Sequence, residues 1–431
     1  MTMRAMMAAT MLIATATMSS AATVPVTVHN PTGLALEAEP VTTGVPFPED
    51  ALASGDHVRL LDEAGAELPL QVTVTGEYPD GSVRWLLLDF QADLPPDGRT
   101  LALEFGEGVE RAAVPDAMYS AEQEGVLGIN AGRLGFTVHR GDFNGISTLE
   151  ADMRAIIYPA GHDGGPYFVD DEDVEYRANL AGDAEAEFEL TGPMRTVITA
   201  RGWFANEAGE RKCRYIVRFH AYRGKPYLRV FFTFIMTEDS RKLRFSDIGF
   251  RIPMPVDRAI FGAADGPAER LVTPEQSAHL LQYAHDHGLI DAQGQREEIG
   301  RAPGWFAADW LNGHAILACR DLWQLFPKEL EATSEGITYH TWPAHGIANP
   351  DREVTDANLQ YLWFAHEGDV LDFEVPEEVY AHEGEHSEYE MRYVRSSKDA
   401  NGMGVAKTHE LLVGFGDRQV DPEEAEALNA R

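Results

Sequence analysis

The stretch RYIVRFHAYRGKPYLRVFFTFIM, residues 214–236, decides the fold class. Alternating residues on both sides of its Arg-Gly-Lys-Pro turn predict two long β-strands joined in a hairpin. One face of the second strand is wholly apolar and must be buried; it comprises Leu228, Val230, Phe232, Phe234 and Met236. This hairpin is typical of an antiparallel sheet that packs one face against a core.

The first strand of the hairpin carries a basic and aromatic face. Its outward residues are Arg214, Arg218, His220 and Tyr222, with Ile216 among them. Pairing with Tyr227 and Arg229 on the second strand would extend this patch across the sheet. The patch can bind an acidic ligand, or it can be an ordinary solvated outer face.

The same period-two pattern runs along most of the chain and predicts an all-β protein. In residues 70–92, the turn Tyr-Pro-Asp-Gly at 78–81 predicts a second hairpin. Two segments favour a helix instead. Residues 273–288 begin with Thr273 as N-cap and Pro274 at the first position, and a helix start follows Asp421 near the end of the chain.

These patterns give a domain plan. Residues 1–22 combine Arg4, an apolar run and small residues, as in a secretory signal peptide that is removed after residue 22. We expect a small β-barrel over 23–112, a linker within 109–125, a larger β-sandwich over 125–415, and at 416–431 the start of a linker or helix leading to an absent domain. The protein is then secreted or periplasmic, without a membrane span.

Composition excludes some functions. Seventy acidic against 35 basic residues give a net charge of −35, which argues against nucleic-acid binding. The two cysteines, Cys213 and Cys319, either pair in a disulfide or stay separate buried thiols. No Gly-x-Ser-x-Gly motif supports a serine hydrolase, and the sequence does not determine the oligomeric state.

A His-Glu-x-x-His pattern occurs at His382, Glu383 and His386, which on a helix can hold zinc in a metalloprotease. Gly384 in its centre weakens a helix, and Tyr389 replaces the glycine that one extended form of the motif requires. We therefore interpret the segment as a solvated acidic loop and keep the zinc protease as a remote alternative. No metal site is predicted.

Several segments together resemble one known family. They are VPFPEDAL (45–52), residues 58–94 with YPDGSVRWLLLDFQA, GWFAADW (304–310), CRDLWQLFPKEL (319–330), YHTWPAHG (339–346) and AKTHELLVGF (406–415). The resemblance is to the exo-rhamnogalacturonan lyase (PcRGLX) and YetA-like family, polysaccharide lyase family 26. It implies a RIFT-type β-barrel, then a large β-sandwich, then a C-terminal α/α toroid, which we expect to be missing from this sequence.

The resemblance also implies a reaction, the β-elimination of a uronate-containing pectic polymer such as rhamnogalacturonan I. Positive charge must neutralise the uronate carboxylate, a base must remove the neighbouring proton, and an acid must protonate the leaving oxygen. No redox cofactor is required. Some lyases use a calcium ion, and no pattern in this sequence specifies one.

Three segments supply groups for these roles. GITYHTWPAHG, which Pro343 and Gly346 mark as a loop, gives the candidate catalytic residues Tyr339, His340 and His345; the basic strand face adds His220 and Tyr222. The candidate substrate-binding residues are Trp342, Arg218, Lys407 and His409, the last two on a strand expected at a sheet edge. The alternative function is a non-catalytic carbohydrate-binding β-protein. For both functions the expected partner is an acidic polysaccharide.

Overall fold

The computed structural model describes residues 21–157, 163–292, 294–311, 313–344 and 401–431. Strands dominate these residues, so the predicted all-β fold class is confirmed. The chain divides into two compact units, Met1–Pro115 and Asp116–Arg431.

The N-terminal unit contains two small antiparallel sheets. Its strands are β1 Ala22–Val28, β2 Leu36–Pro46, β3 Val58–Leu61, β4 Glu67–Leu68, β5 Leu70–Glu77, β6 Val83–Leu94 and β7 Arg99–Phe105. One sheet has the order β1-β7-β3-β4 and the other β2-β6-β5. Leu60, Leu88 and Leu103 are fully buried, and all three belong to one apolar cluster. Burial of this cluster is the main force that stabilises the unit.

The predicted Tyr78–Gly81 turn joins β5 to β6. The Gly81 amide donates to the Tyr78 carbonyl, and Gly81 has a φ of 87°, which glycine adopts without steric cost. The hairpin prediction is therefore confirmed.

The larger unit contains the remaining strands. They are β8 Tyr119–Gln123, β9 Val126–Asn130, β10 Leu134–His139, β11 Thr148–Ala151, β12 Arg154–Ile157, β13 Gly165–Asp170, β14 Glu175–Arg177, β15 Glu185–Leu190, β16 Arg195–Ala205, β17 Arg211–Tyr222, β18 Tyr227–Ile235, β19 Phe245–Pro253, β20 Arg258–Phe261, β21 Ala268–Leu271, β22 Ala278–Ala284, β23 His287–Ala292, β24 Gln295–Ile299, β25 Trp305–Trp310, β26 Gly313–Cys319, β27 Lys328–Thr333, β28 Gly336–Trp342 and β29 Ala406–Gly416. Strands β8 to β12 form a sheet of their own.

Strands β13 to β29 form one continuous sheet that folds over on itself. One series of pairs runs β16-β17-β18-β29-β26-β25, and a second runs β13-β19-β28-β27-β22-β23. We call these the first and second layers. Phe232 of the first layer packs against Phe250 of the second with ring centroids 5.8 Å apart, so the layers enclose the core of a sandwich.

The hairpin at 214–236 is present as β17 and β18. Lys225 N donates to Tyr222 O across the turn, where Gly224 has a φ of 65°. All five apolar residues predicted to face the core are buried.

The predicted helix over 273–288 is wrong. Thr273 and Gln276 close a tight turn, and the rest of the segment forms β22 and the start of β23. Strand β22 pairs with β23 on one side and β27 on the other, and Leu280 and Leu281 are buried on opposite faces. Burial on both faces therefore overrides the helix propensity of the segment.

The predicted helix start at the end of the chain is confirmed. Helix α1, Pro422–Asn429, has Asp421 as N-cap, and the Asp421 side chain accepts from the Glu423 amide. Ala425 and Leu428 pack in an apolar cluster with Trp305. Among the described residues, no helix has the length and apolar character that would let it cross a membrane.

Both cysteines are free and buried, Cys213 on β17 and Cys319 on β26. Of the two interpretations that the sequence left open, the structure supports separate thiols.

Candidate active site

Three of the four predicted substrate-binding residues line one cavity. Trp342 comes from β28, and Lys407 and His409 come from β29. The cavity has a volume of about 210 Å³. Its other lining residues are Phe234, Met236, Ile248, Phe326, Pro327, Lys328, Thr341 and Val405. We call it the lysine pocket, because it has two lysines and no acidic residue among its described lining residues.

One of the two strands that supply these residues differs from the prediction. The 336–342 segment is not a loop but β28, whose residues 337–341 are all buried. Ile337, Tyr339 and Thr341 alternate toward the core, and this period-two pattern forms a strand although Pro343 and Gly346 follow it in the sequence.

Strand β29 pairs with β26 only from Leu411 onward, so the part that carries Lys407 and His409 has β18 as its one neighbour among the described strands, as expected of a sheet edge.

Lys328 is the lining residue that the sequence analysis missed. Its Nζ donates to the carbonyl oxygens of Pro327 and Thr341, both at 2.7 Å. Burial lowers the pKa of Lys328 to about 7, Cys319 opposes this shift, and Lys407 adds to it. Lys328 shares the buried face of β27 with Leu330 and Ala332. A lysine that alternates with apolar residues is the sequence pattern from which this residue could have been predicted.

A hydrogen bond to Tyr339 holds His409. The His409 Nδ1 lies 2.9 Å from the Tyr339 hydroxyl, and the tautomer of the imidazole decides which of the two atoms donates. In the tautomer that donates through Nδ1–H, the Nε2 lone pair of His409 is available as a base.

Electrostatics keep His409 neutral. Burial lowers its pKa well below the ordinary value, and the positive charges of Lys328 and Lys407 lower it further. Burial and Cys319 raise the pKa of Tyr339 well above its usual range, so its hydroxyl stays protonated. Lys407 is exposed and forms no ion pair with any residue in the described part of the chain. The pocket thus combines a neutral imidazole with a lysine that has no counter-ion among the described residues.

The structure separates His340 from this pocket. Adjacent residues of β28 point to opposite faces, so His340 lies outside the core while Tyr339 lies within it. His340 Nδ1 is 2.9 Å from Asp247 Oδ1, and Nε2 is 3.1 Å from Glu331 Oε2. Burial disfavours the charged imidazole, but the neighbouring carboxylates raise the pKa of His340 well above its usual value. Its role here is an ion pair that joins β19, β28 and β27.

The basic strand face is also separate from the pocket. Arg218, His220 and Tyr222 lie on the outer face of β17, whereas His409 and Lys407 pair with core-facing Phe232 and Phe234 of β18. Tyr222 is buried beneath α1 in the cluster that contains Leu428, which does not fit a catalytic role.

Three sequence predictions fall on residues that are not described: most of the signal peptide over residues 1–22, His345, and the His382–Glu383–His386 pattern. Within the described residues, no group of three or more His, Cys, Asp or Glu side chains is placed to hold a metal ion.

Comparison with solved structures identifies relatives of the fold. A glycosyl hydrolase family 38 protein from Enterococcus faecalis matches with a TM-score of 0.52 and 12% identity, and an alpha-mannosidase from Enterococcus faecalis V583 with 0.53 and 10%. The matches cover 94% and 95% of this chain but 45% of each of those chains. This chain therefore spans less than half the length of these proteins, and at such identity the likeness concerns the fold alone.

Comparison with protein families identifies the two domains. No curated protein matches the sequence. The PcRGLX-like N-terminal RIFT barrel domain matches residues 26–98, and the PcRGLX-like protein central beta sandwich domain matches residues 167–262. Through these two domains the chain belongs to the PcRGLX-like family of carbohydrate-active proteins.

Proposed function

We propose that the protein is a secreted or periplasmic polysaccharide lyase that cleaves a uronate-containing pectic polymer, such as rhamnogalacturonan I, by β-elimination. The observation that carries the proposal is the lysine pocket, in which two lysines and a neutral histidine meet and no described lining residue is acidic. In a protein with a net charge of −35, such a site attracts an anionic group locally. The reaction needs no redox cofactor.

Lys407 is the residue that neutralises the substrate carboxylate. It is the exposed lysine of the pocket, and it has no carboxylate partner among the described residues. Its positive charge on the uronate carboxylate would acidify the proton on the adjacent carbon, because that charge stabilises the carbanion that develops there.

His409 is the base. The mechanism uses the neutral tautomer that donates Nδ1–H to the Tyr339 oxygen, because this tautomer leaves the Nε2 lone pair to take the proton. The electron pair of the broken C–H bond forms the carbon–carbon double bond, and the bond to the leaving oxygen breaks. Tyr339 acts through His409 and is a positioning residue.

Lys328 is the acid. Its ammonium form carries three protons, two of which are directed to the Pro327 and Thr341 carbonyls. The third proton can pass to the leaving oxygen. A pKa of about 7 makes this transfer easy near neutral pH, since both protonation states are populated there.

The walls of the pocket suit one sugar ring. About 210 Å³ accommodates a single pyranose, and Trp342 and Phe326 provide aromatic surface for its apolar face. The geometry therefore favours the end of a polymer chain over its middle.

The experiment is incubation of the purified protein with rhamnogalacturonan I, with ultraviolet absorbance of unsaturated uronate as the readout. The proposal expects a rising absorbance that disappears when the polymer carboxylates are reduced to alcohols. Retarded migration in a polysaccharide gel without any rise in absorbance would instead assign a non-catalytic carbohydrate-binding role.

A further inference from the structure

A second cavity lies on the outer face of the second layer. Its volume is about 290 Å³, and its walls include the side chains of Ser277, His279 and Glu329. We call it the serine pocket. Glu329 and Lys328 are adjacent on β27 and therefore point to opposite faces of the sheet. The serine pocket and the lysine pocket are thus separate sites, and they share none of their described lining residues.

Two neighbouring strands position the three side chains. Ser277 directly precedes β22, His279 is the second residue of that strand, and Glu329 is the second residue of β27, which pairs with β22. Leu280 and Leu330 are opposite each other in the register and buried in the core cluster. Because adjacent strand residues alternate between the faces, His279 and Glu329 lie together on the outer face.

Hydrogen bonds link the three side chains in one chain. Ser277 Oγ lies 2.5 Å from His279 Nε2, and His279 Nδ1 is hydrogen-bonded to Glu329 Oε1. A carboxylate can only accept, so Nδ1 of the neutral imidazole carries the proton and Nε2 accepts the serine O–H. Ser277 is half-buried and His279 keeps 13% of its side-chain exposure, so a ligand in the pocket can reach both. This is the arrangement by which an imidazole activates a serine.

A second histidine favours the ionised form of Glu329. His340 of β28 is directly paired with Glu329 in the register. Burial disfavours the charged imidazole of His340, but the charges of Asp247 and Glu329 raise its pKa well above the usual value. A protonated His340 in turn stabilises the neighbouring carboxylate. Glu331, at 3.9 Å from His279 Nδ1, is a further carboxylate beside the ring.

The charged lining residues favour a neutral substrate. Glu275 and Asp291 line the serine pocket together with Glu329, and three carboxylates repel an anionic ligand. A row of directly paired residues, His279, Asp291 and Arg296, crosses β22, β23 and β24. Arg296 Nε donates to Asp291 Oδ2 at 2.8 Å, which holds the guanidinium at the pocket wall. There it can donate to an oxyanion that forms during a reaction.

We propose that Ser277, His279 and Glu329 form a serine esterase site that hydrolyses small neutral acyl esters, such as acetyl groups on sugar hydroxyls. The sugar assignment rests on the proposed function, whereas the esterase site follows from the three side chains themselves. The sequence has no Gly-x-Ser-x-Gly motif, but serine triads recur on unrelated folds and are recognised by geometry and roles. About 290 Å³ accommodates an acetyl group and the ring that carries it.

The reaction proceeds through an acylated serine. Ser277 Oγ attacks the ester carbonyl carbon while His279 Nε2 takes the hydroxyl proton, and Arg296 stabilises the oxyanion. The bond to the alcohol oxygen then breaks, and that oxygen receives the proton from His279. Water attacks the acyl group in the same way, which releases the carboxylic acid and restores Ser277. Glu329 acts through His279 and is a positioning residue.

The test is covalent labelling of the purified protein with a fluorophosphonate, read by peptide mass spectrometry, together with hydrolysis of 4-nitrophenyl acetate. The label is expected on Ser277. Ser277→Ala should lose the label and at least about 10²-fold in kcat/KM for the ester, and His279→Gln should slow labelling to a similar extent. Ser334→Ala is the matched control, because Ser334 is half-buried in the turn between β27 and β28 and does not line the pocket. It should react like wild type.

A second readout separates positioning by Glu329 from a packing effect. Glu329→Gln should lower kcat with little change in KM, and Glu329→Asp should restore part of the loss. An unlabelled Ser277, or equal ester hydrolysis by Ser277→Ala and wild type, would overturn the esterase site. Hydrolysis of 4-nitrophenyl acetate without release of acetate from glucose pentaacetate would overturn the sugar assignment. Neither ester contains a uronate, so these results do not depend on lyase activity, and a missing lyase activity would count only against the proposed function.

Discussion

Tyr339 and His409 meet inside the sandwich, where the Tyr339 hydroxyl lies 2.9 Å from His409 Nδ1 although 70 residues separate them in sequence. The contact joins β28 of the second layer to β29 of the first. It orients an imidazole that lines the lysine pocket.

Tyr339→Phe should therefore lower kcat by about 10- to 100-fold with little change in KM, because it frees the His409 ring without touching substrate. Steady-state kinetics on rhamnogalacturonan I would measure this. Tyr215→Phe is the control, since Tyr215 is equally buried and its hydroxyl has no hydrogen-bond partner in the described part of the chain. An equal loss in both variants would show a general packing effect.

Lys407→Met should reduce kcat/KM by about 10²- to 10³-fold, because it removes the charge that stabilises the developing carbanion. Lys242→Met, which changes an exposed lysine outside the pocket, should retain activity. Rates would be followed by the absorbance of unsaturated uronate. Full activity of Lys407→Met would remove that residue from the mechanism.

The activity should fall as pH rises through about 7, the pKa of Lys328, because the acid loses its proton there. The pKa of His409 lies well below its ordinary value, so the base stays competent throughout this range. The measurement is the pH profile of kcat/KM. A rate that keeps increasing above about pH 9 would contradict the assignment of Lys328 as acid.

His340→Gln should destabilise the fold by about 3–5 kcal/mol, since it leaves Asp247 and Glu331 without their buried cation. The pKa of His340 is raised above 6.5 in the fold. The stability that its ion pair adds to the fold is therefore complete below pH 6.5 and is lost as the pH rises through the pKa of the folded state. Urea unfolding should thus show a difference from wild type in the free energy of unfolding that is largest at about pH 6 and shrinks as the pH rises from there. His139→Gln, an exposed control, should show no such trend. A difference that is constant with pH would exclude the ion pair as its cause.

The sequence predicted the strands better than the site. Period-two alternation identified β17 and β18, because one face of each lies against a core. It failed for β22 because the residues of this strand have helix propensity and both of its faces are buried. The sequence of β22 therefore shows no alternation of polar and apolar residues. Pro343 led to the prediction of a loop, but the residues that precede it form the buried strand β28.

The candidate site was predictable only in part. Trp342, Lys407 and His409 were identified by residue type, and the fold brings them together. Their neighbour Lys328 was missed because it lies on the buried face of β27, where its described acceptors are the backbone carbonyls of Pro327 and Thr341. Partners of this kind depend on tertiary packing and leave no trace in local sequence.

Elimination and hydrolysis can be distinguished directly by the mass of the product formed in oxygen-18 water. The account predicts an unsaturated uronate at the new non-reducing end, and no oxygen-18 in the other fragment when the reaction is stopped before its anomeric hydroxyl exchanges with water. A saturated uronate at that end, with oxygen-18 on the anomeric carbon of the other fragment, would show hydrolysis and contradict the lyase mechanism.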